Sequence, residues 1–168
     1  MKFVSTKNIS HEVQLSEAII QSLASDGGLF VPKSFPRFSD TDFDGLNTLH
    51  EIARIWLRPF FEGDCLEEEL SSICRTVFSF PVPLVFIGDK TAVLELFHGP
   101  TLAFKDFGAR FLAECLERIT GGGTVLVATS GDTGGAVAAA FYKRQGFQVL
   151  ILFPMGMVSA RQEKQLTA

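Results

Sequence analysis

The sequence predicts an α/β chain: a small α+β region followed by an incomplete parallel αβα sheet. That prediction rests on two features. From Thr124 to Phe153 the chain runs as a β-rich segment, a glycine-rich turn, an alanine-rich helix and an apolar segment. This is the order of a βαβ unit. Upstream, Pro81-Val82-Pro83 breaks the pattern and divides the 168 residues into 1–80 and 81–168.

Taken in order, Phe3 to Ser5 is a short strand, and Gln14 to Ala24 is a helix with Leu15, Ala18, Ile19 and Leu23 on one face. Ser25-Asp26-Gly27-Gly28 ends that helix, and Leu29-Phe30-Val31 is a second strand before Pro32. The stretch from Pro36 to Asn47 is polar and irregular. Thr48-Leu49-His50-Glu51 has capping-box spacing and opens a helix with Leu49, Ile52, Ala53, Trp56 and Leu57 inward. Asp64 to Glu67 opens another, with Leu66, Leu70, Ile73, Cys74 and Val77 on its buried stripe. The run Glu67-Glu68-Glu69 is a solvated first turn that suits the helix dipole.

Beyond the prolines, Leu84 to Ile87 and Ala92 to Leu96 are strands around Gly88-Asp89-Lys90. Phe104 to Ile119 is a helix with Phe104, Phe107, Phe111, Leu112, Cys115, Leu116 and Ile119 inward. Arg110, Glu114 and Arg118 are placed on its exposed side at helical spacing. Thr124 to Thr129, Gly134 to Arg144 and Phe147 to Phe153 complete the βαβ unit, the last strand apolar on both faces like a central parallel strand.

Composition narrows the function classes. The chain is 46% apolar and 20% charged, enough apolar content for a core. A net charge of −4 gives no support for binding nucleic acid or an anionic membrane surface. No apolar run approaches the roughly 20 residues of a spanning helix, and the N-terminus lacks the apolar segment of a secretory signal. Cys65, Cys74 and Cys115 are odd in number and form no C-x-x-C pair. Free thiols are therefore expected, which points to a reducing, cytoplasmic compartment.

The chemistry concentrates in two segments. In Gly99-Pro100-Thr101-Leu102-Ala103-Phe104-Lys105-Asp106, one lysine stands among Ala103, Phe104 and Phe107 at the start of a helix. Desolvation and the helix dipole both favour a neutral amine there, and a neutral amine attacks an aldehyde. The competing reading is a lysine that snorkels to water. In Ser130-Gly131-Asp132-Thr133-Gly134-Gly135, small residues let backbone amides line a concavity at a helix N-terminus that suits a small carboxylate. The competing reading is an ordinary capped turn. The turn is neither a Walker A loop nor a dinucleotide fingerprint.

These two blocks together resemble the threonine synthases, pyridoxal-phosphate enzymes of fold type II, related to the tryptophan synthase β subunit. Phe3-Val4-Ser5-Thr6-Lys7, Asp26-Gly27-Gly28-Leu29-Phe30-Val31-Pro32 and the terminal stretch from Phe153 to Glu163 are similar to the same family, so the resemblance spans the chain. Met155 and Met157 depart from it, standing where the family often has basic residues.

The resemblance implies conversion of O-phosphohomoserine and water to threonine and phosphate, with pyridoxal 5'-phosphate as electron sink. It implies that Lys105 carries the cofactor on its amine and moves protons at the substrate's α and β carbons. Ser130, Gly131 and Thr133 would bind the substrate carboxylate, and Asp132 would contact the cofactor's 3-hydroxyl. Asp132 stands where related enzymes carry an asparagine, so its carboxylate needs a proton or a donor partner. Ser159 and Arg161 are candidates for the leaving-phosphate pocket, since arginine matches phosphate geometry. His98 is expected to be structural rather than part of the cofactor site, and Asp106, directly after the lysine, either caps the helix or takes part in the chemistry. No metal site is expected. Family members run more than twice this length, so the chain is expected to be the N-terminal portion of a larger enzyme, inactive alone. The same residues suit two other readings: a phospho-amino-acid lyase that releases a 2-oxo acid, and a non-catalytic domain of the same fold.

Overall fold

Strand β1 (Phe3–Ser5) lies at the centre of an antiparallel sheet, between β2 (Glu12–Val13) and β3 (Phe30–Pro32). The turn before β3 explains its glycines. Asp26 accepts from the Ser5 hydroxyl at 2.7 Å and from the Gly28 amide at 2.8 Å. Gly27 has φ +74°, and a Cβ on Gly28 would collide with Ser5 Oγ. The Ser5 hydrogen bond, with that from Gly28, holds the Asp26 carboxyl below its ordinary range.

Helix α1 (Leu15–Gln21) begins on Asp64, which accepts from the Ser16 amide and hydroxyl, each at 2.8 Å, and from the Leu66 amide at 3.0 Å. A single-turn 3-10 helix (Asp40–Phe43) precedes α2 (Leu49–Phe61). At the start of α2, Thr48 and Glu51 form the predicted capping box, with Thr48 N to Glu51 Oε2 at 3.0 Å. Helix α3 (Leu70–Val77) follows a series of turns. Phe3, Val13, Phe61, Leu66 and Ile73 belong to the buried interior of this unit.

The computed structural model describes residues 1–129 and 131–167. The chain forms two compact units, Met1–Thr76 and Val77–Ala168. In the second, β4 (Leu84–Gly88) and β5 (Thr91–Leu94) make an antiparallel hairpin, and α4 (Lys105–Thr120) follows. Helix α4 stops at Gly121, whose φ of +66° and amide bond to Glu117 O at 3.1 Å form a left-handed cap. Strand β6 (Gly123–Ala128), α5 (Asp132–Phe141) and β7 (Phe147–Leu152) form the βαβ unit, and α6 (Ala160–Thr167) follows. Strands β6 and β7 pair in parallel, Val125 opposite Val149 and Val127 opposite Ile151. Ala109 and Ala113 of α4 meet Ala136, Val137, Ala140 and Phe141 of α5, and Val125, Val127 and Val149 pack against this cluster. The small alanines let the two helices approach closely over the sheet.

Several expectations are corrected. Helix α1 ends at Gln21 because Ser22 turns to φ +63°, which sends Leu23 out to an exposed bridge with Leu29. Ile52 and Trp56 are exposed rather than inward; Trp56 stacks on Phe38, with ring centroids 5.4 Å apart, and lies 6.1 Å from Phe43. The stretch 36–47 thus carries a 3-10 turn and two aromatic partners of α2. Glu67 to Glu69 lie in turns before α3, where Glu67 accepts from the Gly63 amide at 2.7 Å. Phe104 is 57% exposed, since it precedes α4 instead of joining its inner stripe. Glu114 is buried, because it faces Arg144 across α5. Strand β7 is covered on one face only: Leu150 and Leu152, with Leu126 of β6, are exposed on the other. Among the described residues, no helix is long and apolar enough to cross a membrane.

Candidate active site

Lys105 is the first residue of α4, and its side chain is half-buried. Its Nζ lies 3.5 Å from the centroid of the Phe104 ring. Its amine has no hydrogen-bond or ion-pair partner among the described residues. An amine without a carboxylate partner on an aromatic face is available for covalent chemistry. The Phe104 ring is itself largely exposed.

The neighbour Asp106 is buried and turns back on the approach to the helix. It accepts from Thr101 N at 2.9 Å and from Thr101 Oγ1 at 2.8 Å. His98 pairs with Glu95 at 2.6 Å and stacks on Phe97.

The glycine-rich turn is organised by Thr129 and Gly131. Thr129 Oγ1 accepts from the amides of Gly131 and Gly134, both at 3.1 Å, and Gly131 O accepts from Gly134 N at 3.1 Å. Asp132 and Thr133 open α5 with exposed side chains, and the first amides of a helix lack acceptors within it. Ser130 lies outside the described residues.

Gly134 and Gly135 face α6. A Cβ on Gly134 would meet Thr129 Cγ2 and Leu166 Cδ2, and one on Gly135 would approach Gln165. These glycines therefore let α5 pack closely against Thr129 and α6.

Helix α6 adds a residue the sequence reading missed. Gln162 Nε2 donates to Asp132 Oδ1 at 3.2 Å, and a Cβ on Gly131 would fall 2.6 Å from that same nitrogen. Gln162 is held in turn by Ser159, whose amide and hydroxyl donate to Gln162 Oε1 at 3.1 and 3.0 Å. Ser159-Ala160-Arg161-Gln162 is a capping-box spacing, so the Ser159–Gln162 half was visible in sequence. The reach to Asp132 was not, because it depends on how α6 crosses α5. Arg161 is exposed and has no ion pair among the described residues.

Lys105 and the Gly131–Thr133 turn lie at one end of the unit. Arg144, just past α5, pairs with Glu114 and Glu117 in the second half of α4. The two packed helices therefore run in the same direction, with their N-termini side by side. Strands β6 and β7 end at that edge with Ala128 and Leu152, and α6 starts beyond it. This is the carboxyl-end crevice where open parallel sheets bind ligands.

Residues 2–78 match the family described as "Threonine synthase N terminus", and residues 88–167 match that described as "Pyridoxal-phosphate dependent enzyme". Threonine synthase of Escherichia coli K12 is 43% identical over 168 residues, covering 98% of this chain. That of Haemophilus influenzae is 41% identical over 166 residues, with the same coverage. The chain belongs to the threonine synthase family. Its fold matches the crystal structure of the E. coli threonine synthase with a TM-score of 0.89, at 43% identity, over 99% of this chain and 40% of that one. It matches pyridoxal-phosphate-bound threonine synthase from Brucella melitensis equally well, at 37% identity, over 100% of this chain and 39% of that one. The chain spans 39% of the length of these two curated relatives.

The residues present fit the family's cofactor at one point above all. An unpaired, half-buried lysine amine at the sheet's carboxyl edge is the group a cofactor aldehyde requires. Among the described residues no group of three or more His, Cys, Asp or Glu is placed to hold a metal ion.

Proposed function

We propose that the chain supplies the cofactor-bearing lysine, Lys105, and part of the substrate site of an enzyme that converts O-phosphohomoserine and water to L-threonine and phosphate. The observation that carries this reading is the unpaired Lys105 amine beside the N-terminus of α5, in a chain of threonine synthase lineage. Pyridoxal 5'-phosphate, when bound, supplies the electron sink for charge that develops at the substrate's α carbon. Lys105 would hold the cofactor, and its amine would move protons at the substrate's α and β carbons. The amides of Asp132 and Thr133, with the hydroxyls of Ser130 and Thr133, would bind the substrate carboxylate at the positive end of α5, while Gly131, whose amide donates to Thr129 Oγ1, shapes the turn.

Asp132 would contact the cofactor's 3-hydroxyl. A carboxylate at this place needs a donor, and the Gln162 amide is supported in that role by its 3.2 Å bond to Asp132. Ser159 and Arg161 take the leaving phosphate. Arg161 is supported by its free guanidinium, while Ser159 already spends its hydroxyl on Gln162 and contributes by holding the start of α6. The same reading assigns the protein to the cytoplasm, with a small-molecule substrate and no nucleic acid or membrane partner.

Product analysis tests the reaction. Threonine and phosphate in equal amounts from O-phosphohomoserine are expected. Release of 2-oxobutyrate and ammonia in place of threonine identifies a phospho-amino-acid lyase and overturns the synthase.

A further inference from the structure

The turn that delivers Lys105 contains a branched side chain in an unfavourable backbone region. Leu102 has φ +60°, where a Cβ crowds the following carbonyl, and its side chain is exposed, so no packing of its own compensates. The turn is closed by Leu102 N to Gly99 O at 3.0 Å.

Asp106 braces this turn from the other side. Its carboxylate is 1% exposed, and Thr101 supplies donors from its amide at 2.9 Å and its hydroxyl at 2.8 Å. Gly99 lies so close that a Cβ there would overlap the Asp106 carboxylate. If Leu102 relaxed to an ordinary φ, Thr101 would move and the buried carboxylate would lose both donors. A buried charge without donors is costly. The strained residue and the buried acid therefore hold each other in place. Successive helical residues point about 100° apart. Asp106 can thus face the interior while Lys105 faces the sheet edge.

We infer that Asp106 is a positioning residue for Lys105: its buried carboxylate clamps Thr101 and so fixes the strained Gly99–Leu102 turn through which the lysine enters the site. This inference rests on the reading of Lys105 as the cofactor lysine.

The test compares wild type with Asp106→Ala, Asp106→Asn and Thr101→Val, the last removing a single hydrogen bond and so sparing the fold. Two quantities are read: hydrogen exchange of residues 97–106 in the cofactor-free protein, and the pH midpoint of the visible absorbance of the protein loaded with pyridoxal phosphate. Asp106→Ala is expected to speed exchange in this segment by about tenfold or more and to displace the absorbance midpoint. Thr101→Val moves both in the same direction by less, Asp106→Asn keeps part of the wild-type behaviour, and exchange in β6 and β7 stays unchanged. Adding Leu102→Gly to Asp106→Ala removes the strain and brings the midpoint back toward wild type. Wild-type exchange and an unmoved midpoint in both Asp106→Ala and Thr101→Val overturn the positioning role. Wild-type protein with no visible absorbance at all overturns the cofactor reading instead, and the exchange measurement then still decides whether the clamp exists.

Discussion

Arg144, one turn past the end of α5, reaches the buried carboxylate of Glu114 in the middle of α4. Arg118 approaches the same carboxylate at 2.6 Å, and Arg144 also engages Glu117. This ion-pair cluster fixes the parallel run of the two helices that places Lys105 beside the Gly131–Thr133 turn.

Glu114→Gln is expected to destabilise the second unit by about 2 kcal/mol, because two guanidiniums lose the anion that faces them. Urea unfolding of the variant against wild type measures this. Burial alone would raise the Glu114 carboxyl, but hydrogen bonds from Arg144 and Arg118, and their charges, outweigh it and hold the group below the ordinary glutamate range. The folded state therefore binds the proton less readily than the unfolded chain. The stabilisation is complete above the ordinary glutamate value and is lost as pH falls through the lower folded value. The glutamine variant should lack this part of the acid sensitivity.

Asp64 gives the first unit a similar acid dependence. Burial would raise its carboxyl, but hydrogen bonds from the Ser16 and Leu66 amides and the Ser16 hydroxyl bring it below the ordinary aspartate range. Its contribution is likewise full above the ordinary aspartate value and lost as pH falls through the lower folded value. Asp64→Ala is expected to cost about 2 kcal/mol by leaving buried donors unpaired, with α1 fraying first. Hydrogen exchange of Ser16 and its neighbours checks this.

Gly134→Ala opposes two effects. Alanine gains roughly 1 kcal/mol of helix propensity over glycine. The added Cβ, however, meets Thr129 and Leu166 inside normal contact distance. Overlap with a branched Thr129 side chain in the turn should win, so the variant is expected to melt lower and to loosen α6 from α5. A melting temperature above wild type would contradict the close packing.

Much of this was legible in the residues. The capping box Thr48–Glu51 and the stripe Leu66, Leu70, Ile73, Cys74 and Val77 depend only on local spacing, and the structure has both. The βαβ order likewise follows from the alternation of strand, turn and helix patterns. Residues whose role depends on a distant partner were misread. Glu114 looked like one member of an exposed charge row until Arg144 met it, 30 positions later. Trp56 reads as inward by spacing, yet it is exposed and stacks on Phe38 outside the helix. In the site, Lys105 and the Gly131–Thr133 turn were visible as motifs, whereas Gln162 depends on a helix crossing that no local pattern encodes.

The thiols should divide by burial. Cys65 is exposed, while Cys74 and Cys115 are buried, and burial pushes the Cys74 thiol up to about 11. Alkylation of the native protein at neutral pH is expected to label Cys65 alone, since the thiolate is the nucleophile. Cys74 and Cys115 should react only once denaturant unfolds the chain. Mass spectrometry of the peptides reads the result.

The most direct measurement is borohydride reduction of the protein loaded with pyridoxal phosphate, followed by peptide mapping. The phosphopyridoxyl label is expected on Lys105, within the peptide that carries Phe104 and Asp106. A label on Lys90, Lys143 or any other lysine, with Lys105 unmodified, would contradict it.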